Sequence, residues 1–65
     1  MSVFTLIKIS APGWEKDYTD KCELQARLYS HMCEQCRCEE GLTEISDIDH
    51  MLASACGCEF DVEEN

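Results

Sequence analysis

Cys33, Cys36 and Cys38 form a C-x2-C-x-C run, and Cys56 and Cys58 form a C-x-C pair after a gap of seventeen residues. Two short cysteine clusters at about that separation are the sequence form of a tetrahedral thiolate site, because each cluster delivers two sulfurs from one turn of chain. The metal that suits such a set best is Zn2+. Five sulfurs stand for four places. With one ion bound, the favoured set is Cys33, Cys36, Cys56 and Cys58, with Cys38 as an alternate or outer sulfur.

The remaining candidates are set apart by geometry and context. Cys22 lies eleven residues before Cys33 on an expected helix. At ~1.5 Å rise per residue its Cα is ~16 Å from that of Cys33, too far for both thiolates to reach one ion at ~2.3 Å. Cys22 therefore reads as a buried apolar thiol. His31, two residues before Cys33, and His50, six before Cys56, are each open to two readings. They are ligands of a mixed site, or His31 sits at a helix C-terminus and His50 on a polar helix face.

With 65 residues and six cysteines, the chain has room for one small domain, near the size at which a metal or disulfides are needed as a staple. The choice between staples follows the redox compartment. The apolar start, Met1 to Ala11, is interrupted by Lys8, has no basic region before it and no small-residue cleavage site after it, so it does not read as a signal peptide. No apolar run approaches the ~20 residues of a membrane helix. The expectation is a cytoplasmic, monomeric protein with reduced thiols, away from membranes, in which metal is favoured over a disulfide scaffold.

Charge is divided unevenly. Up to Met32, Lys8, Lys16, Lys21 and Arg27 cancel Glu15, Asp17, Asp20 and Glu23. From Cys33 onward Arg37 stands against ten acidic residues, so the net charge of −9 lies in the cysteine-bearing half. Such a surface repels phosphate backbones, which argues against direct nucleic-acid binding and leaves a basic protein surface as a possible partner beside a merely solubilising role.

The elements that must position the cysteines follow from patterning. Val3 to Ile9, rich in β-branched and aromatic residues, predicts a strand, and Pro12-Gly13 a turn delivering Trp14 as a core or rim aromatic. Asp20 with Glu23 resembles a capping box opening a helix at Lys21, whose apolar rows are Leu24, Leu28, Met32 and Cys22, Ala26, Tyr29, Cys33, with its end near Met32. Glu39 to Glu44 reads as a polar link turning at Gly41. Ser46 then caps a second helix carrying Ile48, Met51, Leu52 and Ala55, which Gly57 ends in a left-handed turn. Phe60 and Val62 alternate with acids as a short strand able to pair with the first. The expected fold is α+β: one zinc-stapled domain over residues 1–65 in the order strand, helix, zinc knuckle, helix, strand, with the terminal strands paired and 63–65 a loose acidic tail.

The run Cys33-Glu34-Gln35-Cys36-Arg37-Cys38, with Cys56-Gly57-Cys58, resembles the bacterial metallothioneins, which carry a Cys-Glu-x-Cys-x-Cys segment and later C-x-C pairs, and is similar to short prophage-encoded zinc-binding proteins. The resemblance implies zinc. The chain departs from metallothioneins in its aromatics Phe4, Trp14, Tyr18, Tyr29 and Phe60 and its two patterned helices, which points away from a multi-metal store.

The leading functional expectation is a small zinc-stabilised protein whose acidic half binds a protein partner, and removal of the metal should loosen the whole domain. The alternatives are metallothionein-like zinc buffering or storage, and a thiol redox switch in which oxidation expels the ion. An iron–sulfur carrier fits less well because the spacing differs from common ferredoxin runs. An enzyme is not expected: the chain has no HExxH, no HxE with PCxxC, no phosphate loop and no nucleophile paired with a base.

Overall fold

In the computed structural model, which describes residues 2–65, the β-branched run near the N-terminus becomes the central strand of a three-stranded antiparallel sheet. Strand β1 (Phe4–Lys8) lies between β2 (Glu15–Tyr18) and β3 (Phe60–Glu64). Between β2 and β3 the chain forms three helices, α1 (Lys21–Ser30), α2 (Glu34–Glu39) and α3 (Ile48–Leu52), then a 3-10 turn at Gly57–Glu59. The fold is α+β, and the terminal strands pair, with Phe4 opposite Glu64 and Lys8 opposite Phe60.

Strand β2 is one element that patterning misses. Its residues Glu15, Lys16, Asp17 and Tyr18 offer no apolar alternation, and the first three are exposed. It forms because the Pro12-Gly13 turn, with Gly13 at φ +94°, folds the chain back along β1 and places Tyr18 opposite Phe4. The left-handed φ suits glycine because it has no Cβ to clash. The Thr5 hydroxyl then donates to the Asp17 carboxylate at 2.8 Å.

The C-terminal residues are also more ordered than a loose tail. Glu63 and Glu64 belong to β3, and Asn65 exchanges backbone hydrogen bonds with Val3 while its side-chain amide donates to the Thr5 hydroxyl at 3.3 Å. An exposed acidic tripeptide says nothing of the ladder that receives it.

Helix α1 starts where expected, the Asp20 carboxylate accepting from the Cys22 N–H at 2.9 Å, which satisfies one of the orphan donors of the first turn. It ends at Ser30 with His31 as its C-cap, two residues short of the expected end. Leu24, Leu28 and Met32 are buried together with Leu6, Leu42, Ile48, Met51, Phe60 and Cys36. Of the second apolar row, Cys22, Ala26 and Cys33 are exposed and Tyr29 is half-buried. The core therefore takes only a narrow stripe of α1, and Cys22 is a surface thiol, not a buried one.

The second half differs most from expectation. The first cysteine run is itself a short helix, α2, and α3 spans only five residues with Asp47 as its N-cap. Ser46, expected to cap it, instead accepts from the Thr43 N–H at 2.7 Å in the preceding turn. Ala55 lies beyond the helix and is exposed. Gly57 is not left-handed; positive φ occurs at Gly13 and Gly41. Gly57 is required for close approach: a Cβ there would run into the Met51 carbonyl and lie 2.7 Å from Leu52 Cα.

Candidate metal centre

The N-terminus of α2 and the segment after α3 meet at sulfur. Cys33, the N-cap of α2, accepts from the Cys36 N–H through its Sγ at 3.4 Å, and Cys56 Sγ accepts from the Cys33 N–H at 3.4 Å. Two backbone donors thus point at two sulfurs, and at Cys33 the donated N–H favours the anionic form. The side chains continue the chain of contacts. Cys36 donates its S–H to Cys56 Sγ at 3.1 Å, and Cys56 donates to Cys33 Sγ at 3.3 Å.

The acid–base consequences follow from that direction of donation. Cys33 receives hydrogen bonds from the Cys36 N–H and then the Cys56 thiol, with the nearby Cys36 side chain contributing less, and its thiol is held below the usual range. Cys36 is pushed up to about 11, first because its proton is donated to Cys56 and second because the Cys33 sulfur lies beside it. One member of the cluster gives up its proton readily while another retains it. A cation arriving among the three would take the sulfurs as ligands and displace the proton that Cys36 retains.

The sulfurs of Cys33, Cys36 and Cys56 lie within 4.8 Å of one another, close enough to share one metal ion. All six cysteines are free thiols, and separations of 3.1 and 3.3 Å are far longer than a disulfide bond of about 2.05 Å. A tetrahedral ion at ~2.3 Å from each sulfur would hold them about 3.8 Å apart, so the cluster needs only a small outward adjustment to ligate. Cys38 and Cys58 are exposed and fall outside this group. Cys58 instead donates to the Ala55 carbonyl at 2.9 Å. The helical winding of α2 explains Cys38: two residues after Cys36 is about 200° around the helix, so the two sulfurs leave on different faces.

Neither histidine joins the three sulfurs. His31 stacks on Phe60, ring centroids 5.1 Å apart, with Trp14 edge-on at 5.8 Å. Partial burial, then Arg27 and Lys8, lower its pKa below the ordinary imidazole range. His50 Nε2 lies 3.5 Å from a Glu40 carboxylate oxygen, both side chains about half exposed.

Two residues that carry no weight in the sequence reading hold the halves of the centre in place. Arg37 lays its guanidinium 4.2 Å from the Tyr29 ring centroid and donates to the Tyr29 carbonyl at 2.9 Å, fixing α2 against the end of α1. Ser54 is buried; its hydroxyl donates to the Met51 carbonyl at 2.6 Å and accepts from the Gly57 N–H at 3.0 Å, shaping the turn that carries Cys56. A serine beside two alanines announces nothing, whereas Arg37, alone among ten acids in its half, offers a signal that a structural partner exists.

The three cysteines open onto a cleft of about 410 Å³ that also takes in Lys8, His31, Gln35, Glu39, Glu59 and Phe60. Among the described residues, no helix is long and apolar enough to cross a membrane. Compared with protein-family profiles, curated proteins and solved structures, the chain matches none.

Proposed function

We propose that this chain is a small zinc-binding protein in which Cys33, Cys36 and Cys56 hold the ion, the metal clasps the fold, and the acidic half serves a protein partner. The observation that carries the metal reading is the meeting of three sulfurs from residues up to twenty-three positions apart. Zinc is the favoured metal because it accepts all-thiolate sites without redox chemistry. The clasp is needed where the core is thinnest. Helix α2 contributes only Cys36 to the buried set, so residues 33–41 have little apolar surface of their own to hold them.

The charge complement supports the partner. Ten acidic residues against Arg37 in the second half suit a basic protein face and oppose nucleic acid. Zinc buffering, the function implied by the resemblance to metallothioneins, is the second reading. It is favoured by the position of the site, with Cys33 exposed and Cys56 only half-buried.

Native mass spectrometry before and after chelation, with circular dichroism on both samples, tests the proposal. One tightly held zinc whose removal lowers the melting temperature supports the clasp. Two or more readily exchanged ions support buffering. Metal-free protein with three disulfides, purified without oxidation, overturns both.

A further inference from the structure

The cleft beside the three sulfurs has a property that a closed structural zinc site lacks. A tetrahedral ion on Cys33, Cys36 and Cys56 has a fourth position to fill, and no other His, Cys, Asp or Glu atom among the described residues joins the group. Cys58 is engaged with the Ala55 carbonyl, and the His31 ring is stacked on Phe60 with Trp14 edge-on to both. Three protein ligands with an open fourth position are the arrangement in which a metal accepts an incoming donor.

The surroundings select the kind of donor. Three thiolates on a divalent ion carry a net charge of about −1, Glu39 and Glu59 outnumber Lys8 in the lining of the same cleft, and the whole chain carries −9. An anionic fourth ligand would add charge to an already negative site, whereas a neutral one would not. The His31 ring stacked on Phe60 and the Gln35 amide line the cleft beside the cysteines, surfaces suited to a flat heteroaromatic ring. A volume of about 410 Å³ accommodates such a ring with room to spare.

We propose, resting on the metal-binding reading above, that the metal at Cys33, Cys36 and Cys56 takes its fourth ligand from outside the chain, as a neutral nitrogen donor of the imidazole type entering through this cleft. The donor is a free imidazole or a histidine side chain of another protein. No bond other than metal–nitrogen forms, and a water on the metal is the group displaced.

Cobalt(II) substitution of the full chain tests this, since the visible bands of cobalt report its ligand set. The expected result is a tetrahedral spectrum with the sulfur charge-transfer intensity of three thiolates, unchanged in Cys38→Ser, Cys58→Ser and His31→Gln. Added imidazole should shift the d–d bands saturably while the charge-transfer intensity per cobalt is kept. A histidine-containing peptide acting at lower concentration than free imidazole would assign the donor to a protein, and equal concentrations to a small molecule. Loss of about a quarter of the charge-transfer intensity in either serine variant, a spectrum altered by His31→Gln, or bands unmoved by imidazole would overturn the proposal while leaving metal binding intact. Failure to take up cobalt at all would overturn the metal-binding reading, and this proposal with it.

Discussion

Cys36 donates its thiol proton to the sulfur of Cys56 across 3.1 Å, joining residues twenty positions apart. With Cys33 the pair makes the one point at which α2 and the segment after α3 meet through chemistry able to hold a metal. Replacing Cys36 or Cys56 with serine should therefore abolish tight zinc binding, measured as metal content after gel filtration against a weak chelator. Serine at Cys22, exposed on α1, should leave the content unchanged. Equal loss from all these variants would assign the metal to adventitious thiols.

Metal uptake should release protons, and more of them as pH falls. Thiolates are the ligands, and Cys36 keeps its proton up to about 11 in the metal-free fold. At neutral pH the ion must displace that proton, whereas Cys33, whose thiol is held below the usual range, supplies a smaller share. Apparent affinity should thus rise with pH through the neutral and mildly alkaline range. Isothermal titration in buffers of different ionisation enthalpy counts the protons; zero released at pH 7 would show that the three thiols are not the ligands.

The metal-free fold carries a related sign. Cys36 has a raised pKa, so its contribution to stability is complete below the unfolded value near 9 and is lost as pH rises from 9 to about 11. Cys33 has a lowered pKa, so its contribution is present above 9 and is lost as pH falls through its folded value. Stability from this pair should be greatest near pH 9. Denaturant midpoints of the chelated protein between pH 7 and 11, compared with the Cys36→Ser variant, check it; an optimum that persists without Cys36 would assign the effect elsewhere.

Much of this arrangement is legible in the sequence, and what is not has a physical reason. The terminal strands and the start of α1 follow from β-branched residues and the Asp20 cap, which act locally. Strand β2 is polar, and its existence depends on the Gly13 turn and on β1 as a partner, a tertiary effect that periodicity does not carry. The cysteine cluster is legible as two cysteine runs, but which sulfurs converge depends on the winding of α2, and a C-x2-C-x-C run reads equally as knuckle or helix. Gly57 was legible as a special position for the wrong reason: what excludes a side chain there is the Met51 carbonyl, not backbone φ.

That close approach makes Gly57→Ala a sharp probe. The added methyl cannot be seated without moving the 3-10 turn away from α3, at a cost of roughly 1–3 kcal/mol by analogy with overpacked cores. Because Cys56 immediately precedes the turn, zinc affinity should fall together with the melting temperature. Ser54→Ala acts on the same turn differently, leaving the buried Gly57 N–H without its acceptor, at about 1–3 kcal/mol. Unchanged zinc affinity in Gly57→Ala would mean that Cys56 is positioned independently of the turn.

Arg37→Met separates the clasp from its supports. Methionine preserves an unbranched apolar stem and helix propensity while removing the guanidinium that spans from α2 to the Tyr29 ring and carbonyl. A cation–π contact and one charge-assisted hydrogen bond at a half-buried site contribute on the order of 1–3 kcal/mol together. In the zinc-bound protein the three sulfurs should keep α2 in place, so the melting temperature should fall little. After chelation α2 loses both of its anchors, and amide exchange across residues 33–41 should rise sharply in Arg37→Met compared with the chelated parent. If exchange rises equally with zinc bound, Arg37 alone holds α2 to α1 and the metal is not a clasp there.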